Sequence, residues 1–407
     1  MPETSPLELL DAAALRGRGS NKWTVAPTCL GAGVAEMDYG LAPEIRAALH
    51  DAIDRAFTGY YPPGLLEDTS LAAREYFADA FGWDLEPEEL FLIPTVLTVM
   101  REMITKLTPS NSAVIVPTPA YMPFLTIPGQ LNRECIQVPS LRAADGRFLL
   151  DLQGIARALE QGAGSVILCN PWNPTGQVFT REELQEFDAL MERFPHAMVF
   201  SDEIHAPILP GLSSADFVSY ARVSPGAAAR TITATAASKG WNIPGMHCAQ
   251  VIITDADLLR RARGIFEPLA HDVPPLGALA TRTAYREAHE WITAVNTQVA
   301  ANIQRVRSWA AEQSLPVQCL PISEGDILDD AALQITVPSG TYLTWWEDLS
   351  GALGECPAAT LREAGLVVND GKALGAGYEH CFRLNLACSP EVLEEILQVL
   401  ENAFKGL

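Results

Sequence analysis

Four residues able to act on a small molecule each stand just beyond an apolar run. Tyr121 follows 112–116, Asn173 follows 165–169, Asp202 follows 198–200 and Lys239 follows 231–234. An amine for a Schiff base, an acid to pair with a pyridinium nitrogen, an amide to donate to a ring oxygen and an aromatic to stack on a ring together suit pyridoxal phosphate. The runs are separated by helix-length segments, which reads as buried parallel strands, and open α/β sheets bind ligands at the carboxyl ends of such strands. The four residues are therefore expected in one crevice.

Among five lysines (22, 106, 239, 372 and 405), Lys239 is the one set between apolar Ala236-Ala237 and Trp241. A desolvated amine has a lowered pKa and acts as nucleophile and then as base. Asp202 ends an apolar strand, where a carboxylate is costly to bury unless a cation meets it. Asn173 lies in Asn170-Pro171-Trp172-Asn173-Pro174-Thr175-Gly176, whose prolines fix the loop. Thr95-Val96-Leu97-Thr98 follows Pro94 and opens a helix expected over 99–107, a candidate anion site.

The elements that must carry these residues form an α/β chain. Strands and helices alternate from 114 to about 254, the sign of a parallel sheet with crossover helices. Helices are expected at 43–57, 68–81, 276–312 (interrupted near Trp291) and 390–404, with a Pro- and His-containing loop at 266–275. Strands at 341–346 and 381–386 before the last helix imply a small α+β domain. The expected division is a large cofactor-binding domain over 51–284 and a small one from 1–50 and 285–407.

With 407 residues, 48% hydrophobic content and 19% charged, the chain is globular and long enough for two domains. A net charge of -22 argues against nucleic acid or an anionic membrane as partner. No long apolar span and no basic-then-apolar leader occur, so the cytoplasm is the expected location. Eight cysteines lack metal or disulfide spacing, and no metal is expected. Gly371-Lys372 lacks the rest of a P-loop, Gly31-Ala32-Gly33 has Glu36 where a dinucleotide fingerprint needs a small residue, and HExxH and GxSxG are absent.

Six strings in register, Ser20-Asn21-Lys22-Trp23, Val34-Ala35-Glu36-Met37-Asp38, Gly59-Tyr60, Ser201-Asp202-Glu203-Ile204-His205, Ser238-Lys239-Gly240-Trp241-Asn242-Ile243-Pro244-Gly245 and Phe382-Arg383-Leu384-Asn385, carry a family resemblance. Over nearly its whole length the chain resembles fold-type I pyridoxal-phosphate enzymes, the class I/II aminotransferase superfamily, and within it the cystathionine β-lyase-like C–S lyases. The resemblance implies Lys239 as the Schiff-base lysine, with Ser238 beside it, Asp202 and His205 near the ring, and Tyr121 on the opposite face. It implies Thr95, Val96 and Leu97 at the phosphate, and Arg383, Asn173 and Ala35 at the amino-acid substrate. Tyr60 would reach the phosphate of a neighbouring subunit, so a homodimer with shared sites is expected. Departures are Thr95 where relatives usually have Gly, His247 where aminotransferases often carry Arg, Glu36 for the usual Asp, and the 264–276 loop with Glu267 and His271. The activity implied is α,β-elimination of a cysteine S-conjugate, cystathionine-like or a specialised-metabolite thioether, to thiol, pyruvate and ammonia. Transamination or decarboxylating deamination would use the same residues, and a regulatory protein that retains the cofactor site is a further alternative.

Overall fold

The computed structural model describes residues 5–314, 316–322, 327, 328 and 330–405. Its centre is a seven-stranded sheet in the order Leu90–Ile93, Ala249–Ile252, Thr231–Ala236, Met198–Asp202, Ser165–Cys169, Val114–Thr118, Cys135–Pro139. Ala249–Ile252 runs antiparallel to both its neighbours and the rest pair in parallel. The continuous apolar runs have the cause foreseen: every residue of the Val114–Thr118, Ser165–Cys169 and Met198–Asp202 strands is buried, because helices cover both faces of the sheet. Register then does the positioning. Cys169 pairs with Asp202 and Asp202 with Ala234, so the loops after three adjacent strands leave the sheet side by side. The reversed strand lets Leu90–Ile93 point the same way as the parallel set, delivering Thr95 to the same edge.

A second sheet has the order Val317–Leu320, Leu333–Thr336, Leu343–Asp348, Cys381–Asn385, Asn369–Asp370. Arg383 lies mid-way along the fourth strand, opposite Trp345 on one side and Asn369 on the other. Near the N-terminus, Leu30–Gly31 pairs in parallel with Leu366–Val367, tying the start of the chain to its last third. One apolar cluster joins Leu7, Trp23 and Tyr39 to Trp241, Trp309, Trp346 and Leu393, so both terminal segments share a core with the helices behind the large sheet. We propose the division expected from the sequence, 51–284 against the two termini, as the organisation of the chain; its first boundary falls inside the helix Pro43–Asp54.

Several element limits differ from expectation for local reasons. The helix expected over 99–107 is Val96–Lys106, because Thr95 caps it. The long helical segment breaks at Ala288 (ψ 40°) between Pro275–Glu287 and His289–Glu312, leaving Trp291 inside the second helix and 1% exposed. The first half of the expected 266–275 loop is a short helical stretch, Glu267–Asp272. Helix Pro43–Asp54 stops early where Ala56 turns left-handed (φ 55°). All eight cysteines are free thiols. Among the described residues no helix is long and apolar enough to cross a membrane.

Candidate active site

Eleven of the expected residues line one cavity of about 410 Å³: Ala35, Thr95, Val96, Leu97, Tyr121, Asn173, Asp202, His205, Ser238, Lys239 and Arg383. They come from the carboxyl edge of the large sheet, except Ala35 from the N-terminal segment and Arg383 from the small sheet. Tyr60 is not among them; its side chain is fully exposed on this chain.

Lys239 projects from a four-residue helix, Ala237–Gly240, directly after the Thr231–Ala236 strand. Its Nζ donates to the Ala35 carbonyl at 2.8 Å. Burial lowers its pKa to about 8, helped by the positive charge of Arg383 and opposed by Glu36 and Asp202. Asp202, 4% exposed, accepts from the Ile204 N–H at 3.0 Å, and burial pushes its carboxyl up to about 7. Its neighbour Glu203 faces away from the cavity into a cradle, accepting from Ser201 Oγ at 2.7 Å, Ser219 Oγ at 2.9 Å and the Tyr220 N–H at 3.3 Å. The two adjacent acids are thus divided: Glu203 anchors the turn and Asp202 is left facing the cavity. His205 is 1% exposed, and its Nδ1 has no hydrogen-bond partner among the described residues. Burial, with the charges of Lys239 and Arg383, drives its pKa well below the usual value, so the ring is neutral.

Arg383 is 2% exposed and, among the described residues, its acceptors are neutral: Nη1 donates to Asn173 Oδ1 at 2.8 Å, and Nη2 to the Gly33 carbonyl at 2.8 Å and Asn369 Oδ1 at 2.5 Å. Its Nε is buried with no partner among the described residues. A buried guanidinium held by amides and carbonyls, with a donor to spare, is a preformed receptor for a carboxylate. Asn173 spends its oxygen on Arg383, which leaves its amide nitrogen to donate.

At the other end, Val96 and Leu97 are the first residues of an eleven-residue helix, and helix geometry gives their N–H groups no partner within it. Thr95 Oγ1 takes the Thr98 N–H at 3.1 Å. Thr95 has φ −145°, ordinary extended backbone, so the absence of Gly there imposes no strain. His247 and Ser238 line the same cavity.

These features fit pyridoxal phosphate. A buried carboxyl with a raised pKa calls for a cation such as a protonated ring nitrogen, a depressed lysine is a ready nucleophile, and the open helix start suits a phosphate. Tyr121, half-buried with its ring edge-to-face against Phe124 at 5.5 Å, supplies an aromatic wall.

Sequence reasoning missed two participants. Tyr342 donates its hydroxyl to the same Ala35 carbonyl at 3.0 Å and meets the His205 ring edge-on at 6.0 Å. Asn369 holds Arg383 from the neighbouring strand. The signal for Tyr342 was only its place in the strand expected at 341–346, and for Asn369 a polar residue within Val367-Val368-Asn369-Asp370.

Comparison with known proteins agrees with this geometry. The description Aminotransferase class I and II matches residues 27–400. A cystathionine β-lyase of Corynebacterium glutamicum is 33% identical over 386 residues, 94% of this chain and 96% of that protein. Cystathionine β-lyase PatB of Bacillus subtilis is 26% identical over 377 residues, 91% of each. A solved structure provisionally assigned as a PLP-dependent β-cystathionase of Corynebacterium diphtheriae superposes with a TM-score of 0.86 at 32% identity, covering 98% of this chain and 99% of that one. The chain belongs to the class I and II aminotransferase family, in its cystathionine β-lyase-like group of fold-type I enzymes.

Proposed function

We propose that this protein is a pyridoxal-phosphate-dependent carbon–sulfur lyase that cleaves a cysteine S-conjugate by α,β-elimination. The observation that carries the amino-acid part of this reading is Arg383, a buried guanidinium facing neutral partners in the same cavity as Lys239. The carbon–sulfur part draws on the cystathionine β-lyases it resembles.

Lys239 would hold the cofactor covalently, Asp202 would pair with its ring nitrogen, Asn173 and His205 would flank the ring oxygen, and the backbone N–H groups of Thr95, Val96 and Leu97, with Ser238, would bind its phosphate. When bound, pyridoxal phosphate supplies the electron sink for the charge that develops at Cα. Arg383, with the Asn173 amide and the Ala35 segment, grips the substrate carboxylate and so fixes the Cα–H bond relative to Lys239. The free Lys239 amine, which burial keeps partly deprotonated near neutral pH, takes the Cα proton. The Cβ–S bond then breaks with its electron pair going to sulfur, which leaves as thiolate. The remaining three-carbon enamine takes up water to give pyruvate and ammonia.

The finer reading is a cytoplasmic homodimer in which the exposed Tyr60 completes the phosphate site of the other copy. Assays of L-cystathionine and simple S-alkyl-L-cysteines for pyruvate test the activity; no pyruvate from any thioether, with transamination instead, would replace lyase by aminotransferase. Mixing Tyr60→Phe and Lys239→Ala chains tests the shared site: recovered activity in the mixture supports it, and strictly independent subunits refute it.

A further inference from the structure

Two of the six sequence strings, Ser20-Asn21-Lys22-Trp23 and Val34-Ala35-Glu36-Met37-Asp38, supply no side chain to the proposed chemistry, yet they meet in a fully buried ion pair. Lys22 Nζ donates to Asp38 Oδ2 at 2.8 Å, and the two side chains are 1% and 3% exposed. Trp23 Nε1 donates to the other oxygen, Asp38 Oδ1, at 2.8 Å.

Asp38 closes a strap, residues 32–38, whose carbonyls from Ala32 to Met37 all accept hydrogen bonds. Asn385 Nδ2 donates to the carbonyls of Val34 and Glu36, both at 2.7 Å, and Asn242 both donates to and accepts from the Met37 backbone at 2.9 Å. The Ala35 carbonyl between them points into the active site, where it accepts from Lys239 Nζ at 2.8 Å and Tyr342 OH at 3.0 Å. A slip of one residue would withdraw that carbonyl, so register matters. One end of the strap is set by the pairing of Leu30–Gly31 with Leu366–Val367. There a Cβ on Gly31 would lie 2.2 Å from the Lys22 carbonyl oxygen, so only glycine lets the strap run against the turn that bears Lys22. The other end is set by Asp38, through its N–H to the Ala387 carbonyl and its carboxylate to Lys22 and Trp23.

We propose that Lys22 and Asp38 are positioning residues for Lys239: their buried ion pair fixes the register of the strap, and with it the carbonyl that holds the lysine amine. A buried pair contributes little net stability over an apolar replacement, and specifying one register is its best-attested use. In turnover the Lys239 nitrogen is freed from the cofactor, takes a proton and gives it back, and the Ala35 carbonyl offers a fixed acceptor in each of these states. The inference rests on Lys239 being the cofactor lysine, a part of the function proposed above that elimination and transamination share.

The test uses holoprotein carrying Lys22→Met, Lys22→Arg, or Lys22→Met with Asp38→Leu; the double variant removes both charges and so leaves none buried unpaired. Two readouts are followed in variants that fold and bind one cofactor per chain. The first is kcat against KM for the same thioether. The second is the pH midpoint of the visible band of the bound cofactor, which responds to the placement of the Lys239 nitrogen. Loss of the pair is expected to lower kcat about tenfold or more with KM within about threefold, and to move the midpoint by about half a pH unit or more. Lys22→Arg, which keeps the charge, should restore most of both. A folded double variant with the kcat and midpoint of the unaltered protein overturns the positioning role. Borohydride reduction and mapping of the tagged lysine in the same samples keeps the two claims apart: a tag on another lysine overturns the Lys239 assignment, whereas a tag on Lys239 with both readouts unchanged overturns only this inference.

Discussion

Replacing Asp202 with Asn should make the cofactor-free protein more stable while disabling the holoenzyme. The carboxyl is 4% exposed, and its pKa rises from 3.8 to about 7 because burial disfavours the ionised form. At about 1.4 kcal/mol per tenfold in acid strength, that gap makes ionised Asp202 roughly 4 kcal/mol less favourable in the folded chain than in the unfolded one. The sign follows from proton counting. Between pH 4 and pH 7 the unfolded chain has lost the proton and the folded chain keeps it, so this residue's contribution to stability falls as pH rises and is fully lost above about pH 7. Asn keeps the acceptor for the Ile204 N–H and has no proton to lose. Urea unfolding of cofactor-free protein should therefore show the variant and the unaltered chain about equal near pH 4, with the variant ahead by up to about 4 kcal/mol at pH 8. Turnover by the reconstituted variant should fall far more than cofactor affinity, since the ion pair matters most when charge flows into the ring. A stability difference that does not change with pH, or a variant less stable at pH 8, would refute the reasoning.

Lys239→Ala should abolish turnover and the borohydride-fixed cofactor adduct, checked by mass spectrometry; an adduct on Lys106 or Lys372 would move the assignment. Arg383→Ala should chiefly raise KM for amino-acid substrates, by the loss of a desolvated charge pair of about 2–5 kcal/mol; an unchanged KM in steady-state assays would place the carboxylate clamp elsewhere. Thr95→Gly should leave the dissociation constant for pyridoxal phosphate within about threefold by equilibrium dialysis, because a glycine cap costs only tenths of a kcal/mol and the site has ordinary extended backbone. A change of tenfold or more would mean that the threonine side chain itself serves the phosphate.

The large sheet was readable because a strand buried on both faces must be apolar throughout, and the residues just past its strands had to meet at one edge. Arg383, in a different sheet some 140 residues beyond Lys239, reached the same cavity through a resemblance, since no local pattern reports a contact of that separation. What stayed hidden depends on backbone atoms or on partners far along the chain. The Ala35 carbonyl has no signature of its own, and Tyr342 looked like one more aromatic in an expected strand. The buried Lys22–Asp38 pair defeats a reading in which charged residues are solvated by default. The helix limits slipped for the opposite reason: the Thr95 cap and the break at Ala288 are local features that apolar periodicity does not resolve. Tyr60 is exposed on this chain and lies outside the cavity, so the role proposed for it depends on a second copy.

The central claim is elimination at a cysteine S-conjugate, and the most direct measurement is the stoichiometry of one turnover. The holoenzyme is incubated with an S-alkyl-L-cysteine without any 2-oxo acid, and thiol, pyruvate and the cofactor spectrum are followed together. Elimination predicts thiol and pyruvate in equal amounts over many turnovers, with the cofactor returned to Lys239 after each. Release of no thiol, with the cofactor left in its amine form until a 2-oxo acid is added, would contradict the account and make the protein an aminotransferase.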